Sequence, residues 1–284
     1  MDKKAYNIHI TAMTALFIMG NAILTPKISG PKNTFWALFI SAVLTLLIIT
    51  IVSKLLNFAF LPAKKHKVCF YAIALLVGFL AAFGAFDTIC SYIGFLTNIQ
   101  LPQTSPILIC VALVIPVSAL VICSNSALYK FCLLSSVISV FAIALVFIGG
   151  IKSFDFTLFK SDAVKTLNLS NGILEFLRLF LPVICISAFM VLTKENTCAK
   201  QITIGASLGF FATAICLLQL VLTLGTSANQ EYPYFKAMGI ISSGSLFTRL
   251  DGFGFWLFFV CALVKSTVCI KIVWLIIKLV IWQE

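Results

Sequence analysis

One carboxylate, Asp87, lies deep inside an apolar stretch, IALLVGFLAAFGAFDTICSYIGF, where a charge is costly enough to demand a use. It can bind a ligand ammonium, take up a proton, or stand protonated and hydrogen-bonded to a neighbouring helix. Lys265, near the middle of the last apolar stretch, can pair with Asp87 or snorkel its ammonium to the membrane surface. Glu175 and Arg178 are three apart, hence on one helical face, and read as an interfacial ion pair. A different chemistry is offered by IHITAMTALFIMGNAILTPKISG, from Ile8 to Gly30, which is interrupted by Gly20, Asn21 and Pro26. If the chain unwinds at Gly20 and Asn21, a new helix starting near Ala22 would aim its amides at the carboxylate of a small ligand. The alternative is close helix packing at Gly20 with Asn21 hydrogen-bonded across an interface.

No enzyme chemistry is indicated. There is no HExxH, no Cys/His cluster with metal spacing and no Gly-rich phosphate loop, and His9 and His66 fall near membrane edges. The 10 cysteines lie in or at the ends of apolar stretches and read as small packing residues. Neither a metal nor a cofactor is expected. The formal charge of +11 is scattered over loops without an aromatic-interleaved stripe, so anionic lipid rather than nucleic acid is its partner.

These residues must be positioned by membrane helices. With 61% hydrophobic and 10% charged residues, the 284-residue chain is outside the range of water-soluble domains, and its runs are too long for barrel strands. Stretches long enough to span ~30 Å of hydrocarbon are expected at residues 8–30, 35–60, 69–95, 107–123, 131–151, 173–192, 202–224 and 252–281, forming a single transmembrane domain. Lys3 and Lys4, Lys64, Lys65 and Lys67, and Lys194 and Lys200 mark cytoplasmic loops, placing both termini in the cytoplasm. Lys271 and Lys278 are expected to snorkel. The segment GTSANQEYPYFKAMGIISSGSLFTRLD reads as external, with a short helix lying across the surface. Beyond it, Phe253, Phe255, Trp256, Phe258 and Phe259 form an aromatic cluster suited mainly to interfacial anchoring, with one or two, such as Trp256 and Phe259, walling a cavity.

The order of GNAIL in the first span, LPQTSPI leading into the fourth, and EYPYF followed by FTRLDGFGFWLFF leading into the eighth resembles the spore germination permeases. These are the B subunits of germinant receptors, within the amino acid-polyamine-organocation superfamily. The resemblance covers essentially the whole chain. It implies an all-α, transporter-like bundle of inverted repeats with a small-molecule site between the first, third, sixth and eighth spans. Family members usually have ten spans; this chain shows about eight, so the second repeat is expected to be incomplete. Where the family tends to carry a glycine and an acidic residue in the sixth span, this chain reads ICISAFMVL, which places Ser187 and Ala188 at the site. The implied function is a non-enzymatic subunit of a cell or spore inner membrane, sensing a germinant such as an amino acid and working with A-type and C-type subunits. The alternatives are an ion-coupled secondary amino-acid transporter and a truncated or structural subunit without ligand.

Overall fold

In a chain this apolar, backbone N–H and C=O groups must be satisfied internally, and a helix does so within its own segment. The computed structural model describes residues 3–24, 31–60, 67–160, 169–193, 199–225, 231–244 and 251–282, and among them it contains helices and no strand. The α-helices are α1 (Lys3–Ile23), α2 (Pro31–Phe60), α3 (Lys67–Phe95), α4 (Pro106–Ile122), α5 (Asn125–Gly150), α6 (Leu169–Leu192), α7 (Ala199–Leu224), α8 (Pro233–Gly244) and α9 (Asp251–Trp282). A π-turn over Leu96–Gln100 extends α3, and short 3-10 turns at Ile151–Ser153 and Phe156–Lys160 follow α5. Among the described residues four stretches are long and apolar enough to cross a membrane: Tyr71–Ile99, Asn125–Ser153, Lys200–Leu224 and Gly252–Val280. The fold therefore fits a helical membrane-spanning protein. On α3, Leu75, Phe79, Phe83 and Phe86 stand exposed at helical spacing, as lipid-facing residues do.

Helix α1 is the core of the bundle, packed against α5, α6, α7 and α9, with Ile10, Met13, Leu16, Phe17 and Ile18 buried. Of the two alternatives at Gly20, unwinding or close packing, the helix takes the second. The helix runs unbroken through Gly20 and Asn21 to Ile23, and the Leu24 amide still donates to the Gly20 carbonyl at 3.1 Å. The reason is packing: a Cβ on Gly20 would stand 3.3 Å from both the Cβ and the carbonyl oxygen of Cys261 on α9, so the glycine is needed for close approach. Residues 25–30, including Pro26, lie outside the described residues, as does the 61–66 part of the basic loop.

Two expectations are corrected. The helix in the segment before the last span, α8, is not laid across the surface; Tyr232, Tyr234, Phe235, Ala237, Met238 and Ile241 are buried. Its first turn is anchored by Tyr232, whose φ of +48° lies in the left-handed region, a conformation that costs a non-glycine residue about 1–2 kcal/mol. The neighbours hold it there. The Tyr232 hydroxyl donates to the Ser91 carbonyl at 3.2 Å, and its ring centre lies 5.5 Å from that of Phe95. A Cβ on Gly94 would reach within 2.6 Å of the Tyr232 hydroxyl oxygen, so Gly94 makes the room. Lys271, in turn, does not snorkel. It is buried, and its ammonium donates to the Cys123 carbonyl at 2.9 Å and to Asn125 Oδ1 at 3.1 Å. A cation there complements the negative C-terminal end of α4 and ties α9 to the α4–α5 corner.

Candidate functional site

Helices α3 and α9 run antiparallel in a register that can be followed from one end to the other. Gly78 faces Ile276, Gly84 faces the Cys269 sulfur, Asp87 faces Lys265, and Phe95 stacks on Phe258 with ring centres 4.5 Å apart. Steps of six, three and eight residues along α3 are thus answered by steps back of seven, four and seven along α9, close to whole turns, which keeps one face of each helix on the other. On α9, Cys261, Lys265 and Cys269 are each four apart, Cys261 meeting Gly20 of α1 and Cys269 meeting Gly84 of α3. Small residues one turn before and after Lys265 let neighbouring helices close over its stem.

The outcome is a cluster of three charges from three helices. The Asp87 carboxylate lies 3.7 Å from the Lys265 ammonium on α9 and 3.9 Å from the Arg178 guanidinium on α6. Both separations exceed a direct hydrogen bond, so these are ion pairs with slack. Lys265 is 4% exposed, whereas the side chains of Arg178 and Asp87 are 29% and 38% exposed. The cluster is closed on the lysine side and open beside the carboxylate. Counted along the helix axes from Phe95, Leu169 and Asp251, the three residues lie about 12, 14 and 21 Å from the ends of their helices.

Pro182 adds a backbone feature to the cluster. It lies inside α6 four residues after Arg178 and has no N–H, so the Arg178 carbonyl loses its helical donor. A hydrogen-bond acceptor is thereby freed on the residue whose side chain reaches Asp87.

The sequence-derived site residues divide into two groups. Asp87 and Lys265 meet directly. Gly20 contacts Cys261, one turn of α9 from Lys265, and Phe259 packs on Tyr92 with ring centres 6.1 Å apart. The polar groups of the second group are spent or aimed elsewhere. The Asn21 amide donates to the Phe17 carbonyl at 2.9 Å within α1, and the Ser187 hydroxyl donates to the Val183 carbonyl at 2.7 Å within α6. Ala188 is fully buried in α6, and the Trp256 indole N–H is buried with no hydrogen-bond partner among the described residues. Ala22 is in the last turn of α1, its side chain outside those described. Within the aromatic cluster Phe258 turns inward: it is fully buried and, with Phe235 and Tyr232, surrounds Phe95, whereas Phe255 is exposed.

Arg178 joins the cluster beside Asp87, a contact that spacing along its own helix does not reveal. Glu175 had been matched to it by spacing, and the Glu175 side chain is outside those described, but the guanidinium reaches Asp87. The available signal was Pro182, an intramembrane helix breaker one turn beyond a charge. Among the described residues no group of His, Cys, Asp or Glu is placed to hold a metal ion. No family model matches the chain, and no curated protein matches it.

Proposed function

We propose that the chain is a ligand-sensing membrane subunit of the germinant-receptor type, which takes a small nutrient such as an amino acid at the Asp87, Arg178 and Lys265 cluster. The observation that carries this reading is the meeting of one carboxylate and two cations from α3, α6 and α9 inside an apolar bundle, open beside the carboxylate. A ligand ammonium can pair with Asp87 on its open side, and a ligand carboxylate can take the guanidinium bidentately. The motif order GNAIL, LPQTSPI, EYPYF and FTRLDGFGFWLFF supports the family assignment. With it come eight spans, cytoplasmic termini, a spore inner membrane and A-type and C-type partner subunits.

The helix contacts support an inverted repeat. The most extensive pairs are α2 with α6 and α1 with α7, and they exchange when α1 is swapped for α6 and α2 for α7. The pairs α1 with α6, α2 with α7 and α3 with α9 map onto themselves under the same swap extended to α3 and α9. That symmetry is also what alternating access uses, and it favours secondary amino-acid transport as the second reading. Binding of a radiolabelled amino-acid panel to the purified chain, with and without Asp87→Asn, tests the site; we expect the variant to bind at least about tenfold more weakly when compared at equal amounts of folded protein. Equal binding by the variant removes the site. Gradient-driven uptake into proteoliposomes would make transport the better reading.

A further inference from the structure

The charges of the cluster do not cancel. Asp87 contributes one negative charge, and Arg178 and Lys265 contribute two positive ones; among the described residues no second carboxylate comes within ion-pair distance of either cation. An uncompensated charge inside an apolar bundle is costly, and the cost is removed by a counter-charge brought in with the ligand. Lys265 sharpens the point. Its ammonium carries three N–H donors, none of which makes a hydrogen bond among the described residues. Its nearest walls include Cys261 and Cys269 of its own helix, whose thiols are weak acceptors, with Gly20 and Gly84 bringing α1 and α3 against those cysteines. The separations of 3.7 and 3.9 Å from Asp87 leave both cations with donors to spare for an incoming oxygen.

We infer that the ligand is a small organic anion of net charge −1, with a carboxylate not balanced by an ammonium of its own. This rests on the reading that the cluster is the ligand site, and it narrows that reading from amino acids in general to acidic ones and simple monocarboxylates. The uncompensated carboxylate accepts from Lys265 and Arg178. In an acidic amino acid the ammonium turns to Asp87, and the second carboxylate takes up the remaining guanidinium donors. A neutral zwitterion leaves the site with its excess positive charge, and a cation adds to it.

The test is calorimetric titration of the purified full chain in nanodiscs at low salt with L-glutamate, acetate, L-alanine and methylammonium. L-glutamate is expected to bind at least about tenfold tighter than L-alanine, acetate to bind detectably, and methylammonium not at all. Lys265→Arg should keep this order, whereas Lys265→Met, which neutralises the site, should erase the preference for glutamate over alanine. If Lys265→Met fails to fold, Arg178→Gln serves the same purpose, since it removes the same charge from a half-exposed position. Alanine binding as tightly as glutamate in the unaltered chain would overturn the charge inference and leave the site standing. A glutamate preference that survives both neutralising variants would also overturn it. No binding by any of the four would sink the inference and the site together.

Discussion

Two helix pairs hold this bundle together by different means. Helices α1 and α7 run parallel and meet backbone to backbone: a Cβ on Gly205 would fall 2.6 Å from the Thr11 carbonyl oxygen, and one on Gly209 would fall 2.8 Å from that of Ala15. Helices α3 and α9 run antiparallel and meet through side-chain ends: a Cβ on Gly84 would stand 3.4 Å from the Cys269 sulfur, and one on Gly78 would stand 3.6 Å from an Ile276 methyl. Backbone carbonyls cannot step aside, whereas sulfur and methyl groups can. The first pair is therefore a fixed scaffold. The second is spaced by side chains and has room for charges, and that is where Asp87 and Lys265 are found.

The largest effect follows from filling the scaffold contact. Gly209→Leu is expected to cost about 3 kcal/mol or more, at the upper end for overpacking because the obstructing atom is backbone, and fluorescence-detected gel filtration should show little monodisperse protein. Gly84→Ala should cost less than about 1 kcal/mol, since ordinary van der Waals contact is offset by the better helix propensity of alanine. Gly20 is intermediate, its added Cβ 3.3 Å from Cys261. Equal losses from Gly209→Leu and Gly84→Ala would abolish the distinction between the two pairs.

A smaller effect tests whether the α3–α9 pair depends on its charges. Asp87→Asn leaves the buried Lys265 ammonium without a carboxylate, and removing one partner of a buried pair costs about 3–5 kcal/mol. The open side of Asp87 should reduce this to roughly 1–3 kcal/mol by partial solvation. Adding Lys265→Met should recover much of the loss, because an apolar side chain at this position has no desolvation penalty. Thermal unfolding of the single variants and the double variant gives the coupling directly. Strictly additive losses would mean that the two groups do not interact.

The long helices were legible because apolar runs of membrane length leave few choices, and α2, α3, α5, α7 and α9 lie on the segments read from sequence. Asp87 and Lys265 were legible as a pair because a charge deep in an apolar span demands a partner. The sequence left Gly20 open between an unwound helix and a close crossing because the same glycine serves both, and only the neighbour, Cys261, separates them. The contact of Arg178 with Asp87 was not legible because spacing along one helix finds only Glu175, whose side chain lies outside those described, while Asp87 approaches from another helix. The burial of α8 was missed because Tyr232, Tyr234 and Phe235 read equally well as interfacial residues until Phe95 is placed beside them.

The smallest effect is expected outside the bundle, where the connection after α5 is tied to the end of the scaffold helix. The Asp155 amide donates to the Leu222 carbonyl of α7 at 3.0 Å, and the Asp155 carboxylate accepts from the Thr157 hydroxyl at 2.6 Å and the Thr157 amide at 2.8 Å. Those bonds, the hydroxyl first, hold the Asp155 carboxyl below the usual carboxylate range. A depressed folded-state value contributes stability that is present above the unfolded value, about 3.9, and is lost as the pH falls through the folded value. Hydrogen exchange should therefore show the Thr157 amide protected at neutral pH and losing protection only below about pH 4, with Thr157→Val moving that loss to higher pH. The Gly205 and Gly209 contacts contain no titrating group, so amides of α7 near them should keep their protection through the same range. Loss of protection in both places at one pH would mean that the scaffold depends on this connection, and the contrast between a fixed pair and an adaptable one would then have to include its ties to the loops.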